Sequence, residues 1–430
     1  MLWGSVSSSY YHATAAARAP YPTLHGMHEA RVVVVGGGYA GLNTALGLAE
    51  RGVRNVVLLE REQVGFGASG RNGGFVFAGY SLGEQSLLDQ SGASRAGALF
   101  ALTTAAVHRI RQRIAQYDIA CDVVDEGVIW ANWFRDPSIL HRRRQLLADH
   151  YGVNWEALSP TQLREWIESG RYHGGLYESD ALHLHPLNYA TGLARAAAGR
   201  GVTLHEHSGA LQMRREGARW RVDTAHGSVL ADQLVLACGG YLAGLEASID
   251  NAILPIATYV MVTEPLGERM QTCMRTRAAV YDTRFAFDYY RPLPDTRLLW
   301  GGRISIRERS ARAVKRLLAA DMLRVFPQLR GVRIDYAWSG LMSYARHQMP
   351  QIGGNAEGLW WAQAFGGHGL APTCAAGELL AAAIAHGDEG WQQFRDYGLR
   401  SAHRPWGYLG AQTGYWWRQS RDWLKSGLER

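Results

Sequence analysis

Cysteine is scarce in this chain, with four residues in 430: Cys121, Cys238, Cys273 and Cys374. No two stand in C-x-x-C spacing, which argues against a zinc ribbon or a redox dithiol and suits a reducing, cytoplasmic compartment. Long apolar runs are missing too, and no stretch of ~18 apolar residues offers a membrane span. The first 26 residues lack the basic and apolar halves of a secretory signal. They also lack any acid, a weak transit-peptide trait, although an arm laid over the folded body is the simpler expectation. His183 and His185 stand two apart without further donors, a poor metal site, and read as structural. No Ser-His-Asp or paired-carboxylate arrangement is evident. The net charge of +7 and pI near 9.3 come without basic runs. The cations are almost all Arg and scattered, so no nucleic-acid partner is expected.

Glycine is abundant, and three concentrations of it carry the reading. The run Arg31-Val-Val-Val-Val35 leads straight into Gly36-Gly-Gly38-Tyr39-Ala40-Gly41, and a helical pattern follows with Leu42, Ala45, Leu48 and Ala49 as its apolar positions. This reads as the strand, turn and helix of a dinucleotide-binding unit. Gly36 permits the turn, Gly38 lets a pyrophosphate reach the backbone, and Gly41 lets helix pack on strand. The helix N-terminus offers free N–H donors and partial positive charge. A second strand, Val56 to Leu59, ends in Glu60, placed to accept from a ribose 2′-OH and unsuited to a 2′-phosphate.

The second concentration, Gly65-Phe-Gly-Ala68-Ser69-Gly70-Arg71-Asn72-Gly73-Gly74, is too rich in glycine for a helix or central strand. Its consecutive N–H groups can surround an anion or a flat polar ring. The third, Phe365-Gly366-Gly367-His368-Gly369-Leu370-Ala-Pro372, opens a helical run to His386. A helix N-terminus there suits the negative charge of a reduced flavin. An NAD dehydrogenase has no need of this late loop, so FAD is the expected cofactor. Between the loops, the strand Asp232 to Ala237 closes on Cys238-Gly239-Gly240 and returns to the adenine side.

These residues resemble the glycine and D-amino-acid oxidase-like FAD enzymes, and within them the bacterial γ-glutamylputrescine oxidoreductases. The narrower likeness rests on Ser9-Tyr10-Tyr11-His-Ala-Thr14, the loop 65–74, His183-Leu-His185-Pro186-Leu187-Asn188, Asp282-Thr-Arg284 with Tyr289-Tyr290-Arg291, and Phe365 to Gly369. The resemblance implies an α/β fold in which a glutathione-reductase-type, Rossmann-like FAD domain is interleaved with an α+β substrate domain on a mixed sheet. The FAD pieces are expected at 27–82, 175–245 and 340–400, and the substrate pieces at 83–174 and 246–339. An N-terminal arm, 1–26, and a helical tail, 401–430, flank them. Alternation reads Ala278 to Tyr290 and Leu298 to Ile304 as strands, and Glu308 to Phe326 as a helix. The aromatic tail, with Tyr415, Trp416, Trp417 and Trp423, is expected to dock on the body, an interfacial membrane helix being the other reading.

The chemistry implied is hydride transfer from the carbon bearing a neutral amine to flavin N5, with the imine then hydrolysed and O2 or another acceptor taking the electrons. A γ-glutamylputrescine-like amine of polyamine catabolism is the leading substrate. A D-amino-acid dehydrogenase or glycine/sarcosine oxidase is the alternative, and a flavin-bearing assembly protein the remote one. The expected cofactor residues are Gly36, Gly38, Tyr39, Ala40, Gly41, Glu60, Arg61, Ala68, Ser69, Gly70, Arg71, Asn72, Gly73, Gly74, Cys238, Gly239, Gly366, Gly367, His368, Gly369 and Leu370. Arg291 leads as the grip on a substrate carboxylate. One of Tyr289 and Tyr290 faces the pocket, since successive strand side chains oppose. Arg303 and Tyr344 follow, and His368 polarises the ring or the amine. Some sarcosine oxidase-like relatives activate oxygen with a lysine near the flavin. Here only Lys315, on a surface helix, and Lys425, near the C-terminus, exist, so another cation or dehydrogenase chemistry is implied. Ser339 to Gln348 holds no cysteine, so non-covalent FAD is expected.

Overall fold

The computed structural model describes residues 9–429. Its first sheet runs in the order β17 (Gln351–Gly354), β18 (Leu359–Gln363), β11 (Gly227–Leu236), β1 (Gly26–Val35), β2 (Val56–Leu59) and β8 (Thr203–His205). Two further strands, β10 (Arg219–Asp223) and β9 (Gln212–Glu216), fold back from β11. Val33 lies opposite both Val57 and Leu234 in parallel pairings. Parallel strands buried on both faces read as unbroken apolar runs, and alternation divides them. Val32, Val34, Val56 and Leu58 enter the helix-covered core, while Val33, Val35, Val57 and Leu59 pack under β10 with Trp220 and Val222. The covering helices include α2 (Tyr39–Glu50), α7 (Pro186–Gly199) and α10 (Leu370–His386).

The second sheet has the order β16 (Ile334–Tyr344), β12 (Leu254–Thr263), β15 (Leu298–Ser305), β14 (Asp288–Pro292), β13 (Ala279–Asp282), β4 (Val128–Ala131), β6 (Gly175–Glu178) and β5 (Glu156–Leu158). It is mixed, because β13 and β4 run parallel among antiparallel neighbours. Its outer face buries Ile129, Val280, Tyr290 and Trp300 beneath α9 (Ala311–Val325) and α6 (Pro160–Trp166). Ser310 caps α9 by accepting from Ala313 N. A short ladder of β3 (Phe75–Val76) and β7 (Leu182–His183) joins the two halves. Two further helices are α5 (Ser138–Tyr151), whose side chains reach the inner face, and α8 (Ala247–Asp250), a single turn. The architecture is the expected FAD-type α/β region with a separate mixed sheet.

Several boundaries differ from the sequence reading. The helices α3 (Glu84–Ser91) and α4 (Ala93–Gln116), expected with the substrate sheet, pack on the first core, where Leu99, Val107 and Ile110 join Leu46 and Leu380. Fully buried Arg113 on α4 bonds Glu50 of α2 at 2.5 Å and also pairs with Glu378 of α10. Residues 175–178, expected in the FAD region, form β6 of the second sheet, and β16 carries that sheet to Tyr344. The strand read over Ala278 to Tyr290 breaks at 283–287, because Arg284 turns in to bind both Asp282 and Asp288.

Of the N-terminal arm, residues 9–25 are described, and they lie against the body. In α1 (Tyr10–Thr14) both tyrosines are buried, and Arg18 pairs with Glu206. The tail forms α11 (Trp406–Leu428), which docks through buried Tyr415 but turns four tryptophans outward. Trp406, Trp416, Trp417 and Trp423 are 58–74% exposed, so the expectation that the aromatics dock fails for them. Among the described residues no helix is long and apolar enough to cross a membrane.

Candidate active site

A continuous cavity of about 1520 Å³ opens at the carboxyl ends of β1, β2 and β11 and extends to the inner face of the second sheet. It exceeds the ~300–1,000 Å³ of an ordinary ligand pocket, so a dinucleotide and a second molecule have room. Gly36 has φ +114°, and a Cβ there would stand 2.6 Å from Ala237 O. A Cβ at Gly41 would stand 2.0 Å from Gly36 O, so α2 crosses β1 only because both are glycine. Gly38 caps α2 without a side-chain bond, leaving the helix N-terminus open toward Tyr39 and Ala40 on the cavity wall. Glu60 also lines the cavity, its carboxylate accepting from Gly37 N at 2.7 Å and Glu62 N at 2.9 Å. Burial raises its pKa. Arg61 lies beside it on the wall.

The loop 65–74 is held from within. Asn72 donates to the carbonyls of Ala68 and Ser69 at 3.0 Å and accepts from Gly74 N at 2.8 Å. Ser69 Oγ accepts from Tyr39 N at 2.9 Å, and Arg71 Nε donates to Phe66 O at 2.9 Å. Ala68, Ser69, Arg71, Asn72 and Gly73 face the cavity, whereas Gly41, Gly70 and Gly74 do not. Those three are needed for packing. A Cβ at Gly70 would lie 2.3 Å from Gly65 O, and one at Gly74 2.1 Å from Leu184 O. Gly41, Gly70 and Gly74, expected among the cofactor residues, thus lie off the cavity wall.

Opposite, Gly366, Gly367, His368, Gly369 and Leu370 close the wall beside Cys238 and Gly239. Gly369 caps α10 without a side-chain bond, so a second helix N-terminus opens on the same cavity. Cys238 Sγ contacts Val35 O at 3.4 Å, and burial pushes its thiol up to about 12. Two helix N-termini whose cap residues are glycine, with Ser69 meeting only the first N–H of α2, and glycines along the wall between them fit a flavin dinucleotide.

On the second sheet, Tyr289 faces the cavity and its ring lies over Gly301, where a Cβ would be 2.0 Å from the ring. Tyr290 points the other way, fully buried and stacked on Trp300 at 4.5 Å. Arg291 is a correction: it is 2% exposed and absent from the cavity wall. Its guanidinium donates to Gly73 O at 2.7 Å, Leu184 O at 2.8 Å and Tyr11 Oη at 3.3 Å, and meets His183 Nδ1 at 3.2 Å. Four of its five N–H donors are engaged inside the protein, which leaves no pair for a bidentate grip on a substrate carboxylate. Arg303 lines the cavity, but its Nε and Nη2 both donate to the Asp321 carboxylate, at 2.8 and 2.7 Å.

Tyr344 also lines the cavity, where burial pushes it up to about 12. The His368 ring meets Phe77 edge-on at 4.6 Å, and burial pulls it down to about 4, so it is neutral at physiological pH. His183 bonds Arg277 O at 2.7 Å, and His185 caps α7 by accepting from Asn188 N at 3.1 Å. Lys315 donates to Asp335 O at 2.9 Å and Lys425 sits 3.6 Å from Asp136, both off the cavity wall.

Sequence reasoning missed several wall residues. Ser81 Oγ accepts from the N–H groups of Gly367 at 2.9 Å and His368 at 3.3 Å, fixing the third glycine loop. Glu84, Arg143, Trp130 and Tyr281 line the cavity's other end. Arg143 sits inside the run His141-Arg142-Arg143-Arg144, which gives no local sign of which arginine turns inward.

Residues 31–383 match the family model described as DAO, FAD dependent oxidoreductase. The gamma-glutamylputrescine oxidoreductase of Escherichia coli (strain K12) is 36% identical over 377 residues, covering 87% of this chain and 88% of that protein. The probable oxidoreductase OrdL of Haemophilus influenzae is 34% identical over 394 residues, 89% of each chain. Among solved structures, glycine oxidase from Geobacillus kaustophilus superposes with a TM-score of 0.70 at 23% identity, covering 87% of this chain and 99% of that one; this likeness concerns the fold.

Proposed function

This chain belongs to the DAO family of FAD-dependent oxidoreductases, and we propose that it oxidises the carbon–nitrogen bond of an amine to an imine that water then hydrolyses. The observation that carries the reading is that α2 and α10 open their N-termini on one cavity whose far wall is the second sheet. FAD, when bound, supplies the hydride acceptor at N5. Gly36, Gly38, Tyr39, Ala40, Glu60 and Arg61 hold its nucleotide half. Ala68, Ser69, Arg71, Asn72 and Gly73 hold the ring side, with Cys238, Gly239 and the Gly366 to Leu370 segment against them. The N-terminus of α10 stabilises negative charge gained on reduction.

His368, kept neutral by burial, accepts a hydrogen bond from an N–H of the substrate that arrives as the neutral amine, orienting it with the nitrogen lone pair free to assist hydride loss. Tyr289 and Tyr344 orient the substrate from the facing wall. Non-covalent attachment is supported by the cysteines: Cys238 lies on the cavity wall with its sulfur against Val35 O, and the other three lie off the wall. All four thiols are unpaired, in keeping with a cytoplasmic setting. A γ-glutamylputrescine-like substrate in polyamine catabolism is supported by the Escherichia coli relative. Engagement of Arg291 removes the main support for a small α-amino acid.

The test is anaerobic bleaching of the purified holoenzyme with γ-glutamylputrescine, sarcosine, glycine and D-alanine, followed by air. Bleaching by the extended amine alone is the expected result. Reduction by a small amino acid alone overturns the substrate, and no bleaching by any amine overturns the reaction class. The rate of recolouring in air separates O2 from another acceptor.

A further inference from the structure

Cross-strand register sets Tyr281 on β13 beside Trp130 on β4, and Val128 beside Glu178 on β6. With a side-chain period of two, Tyr281, Trp130, Val128 and Glu178 share the inner face of the sheet. Against that face α5 lays Arg143, its guanidinium 4.3 Å from the Trp130 ring centre and 4.8 Å from that of Trp155. Arg143 Nη2 donates to Glu84 Oε1 at 2.7 Å. Around this pair, Arg143 Nε, Tyr281 Oη, Glu178 Oε2 and Trp155 Nε1 are buried and make no hydrogen bond. Buried polar atoms are almost always met, and of these four residues Arg143 and Tyr281 line the cavity while Glu178 and Trp155 do not, so Arg143 Nε and Tyr281 Oη are the orphans that a bound molecule would meet. The region belongs to the cavity, because Arg143, Glu84 and Tyr281 line it. It also connects to the flavin side, because Phe77 stacks on Tyr281 at 5.5 Å and touches His368 at 4.6 Å.

Resting on the amine-oxidation reading, we propose that Arg143, Tyr281 and Glu84 form a subsite for a zwitterionic amino-acid head group at the end of the substrate remote from the bond being oxidised. The carboxylate meets Arg143 and the Tyr281 hydroxyl, and the ammonium meets Glu84. Charge decides between ligand classes. Arg143 and Glu84 already form a neutral pair, so a lone anion or cation leaves one buried charge uncompensated. A zwitterion meets both and leaves the balance unchanged. Burial pushes Glu178 up to about 8, so at neutral pH it adds a proton donor and not a second negative charge. Arginine's planar fork suits the carboxylate geometry.

The experiment compares γ-glutamylputrescine with N-acetylputrescine, which offers the same reacting amine without the head group, in the wild-type holoenzyme and in Tyr281→Phe, Arg143→Gln and Glu84→Gln. The expected wild-type KM ratio favours the γ-glutamyl compound by at least about tenfold, and each substitution collapses that ratio. A purely structural role shifts both substrates alike and keeps the ratio, which overturns the subsite, as does a wild type that does not discriminate. Tyr281→Phe changes one unbonded hydroxyl and so keeps the test decisive if the charge variants fold poorly. γ-Glutamylbutylamide, which carries the head group and chain but no reacting amine, separates the two failures. If it perturbs the oxidised flavin spectrum in the wild type and not in Tyr281→Phe while no amine bleaches the flavin, the subsite stands and the reaction reading falls. Amines that bleach the flavin without binding of this probe have the reverse meaning.

Discussion

Arg291 Nε donates to the carbonyl oxygen of Gly73 at 2.7 Å, so this arginine of the second sheet is a stitch into the loop 65–74. Replacing it with Met leaves Gly73 O and Leu184 O without their donor in a buried place. At ~1–3 kcal/mol for each unmet group, the expected effect is a loss of several kcal/mol in stability together with flavin retention. Thermal unfolding and the flavin-to-protein absorbance ratio measure this. A stable, fully flavinated Arg291→Met protein with only a raised KM contradicts the stitch.

Ser81 holds the N–H groups of both Gly367 and His368 on one oxygen. In Ser81→Ala those donors lose their partner, with an expected cost of ~1–2 kcal/mol, concentrated on the loop that carries His368. Reductive half-reaction rates should fall with overall fold intact. Stopped-flow bleaching beside far-UV circular dichroism tests it, and an unchanged rate shows that the loop does not depend on this serine.

Glycines in this chain divide by what a Cβ would strike. Gly41→Ala places a methyl 2.0 Å from Gly36 O, while Gly199, the last residue of α7, has nothing within 4 Å. Gly41→Ala is expected to abolish FAD retention, and Gly199→Ala to be neutral or stabilising by ~0.5–1 kcal/mol. Equal flavin content in the two variants removes the crossing of α2 and β1 as the reason for the fingerprint glycine.

Much of the nucleotide region was legible because local reasons fix it: β1, the turn and α2 are contiguous, and Glu60 follows in the next strand. Alternation also placed Tyr289 and Tyr290 on opposite faces, though not which of the two faced inward. What lies across from a side chain was not legible. Arg291 shares the inward face with Tyr289, but the oxygens it meets, on Gly73 and Leu184, come from distant sequence. An amphipathic helix such as α4 announces a buried stripe without naming the sheet it covers, so its domain was misread. Arg143 was hidden because three adjacent arginines look alike until Trp130 and Trp155, from separate elements, close around one of them.

Glu178 offers a stability test whose sign follows from its burial. Its folded-state pKa is raised to about 8 from an ordinary 4.5, with desolvation the largest cause and the Arg143 charge opposing it. As pH rises through the window from 4.5 to 8, the unfolded chain releases this proton while the folded chain keeps it. Folding therefore loses stability across that window, and the loss is complete above about 8. Glu178→Gln keeps the shape and removes the titration. The variant should gain on the wild type between pH 5 and pH 9, by on the order of a few kcal/mol at most. Denaturant unfolding of both proteins at the two pH values measures the gain. An identical pH dependence means that Glu178 is ionised in the fold, and the negative charge beside Arg143 is then larger than the zwitterion argument allows.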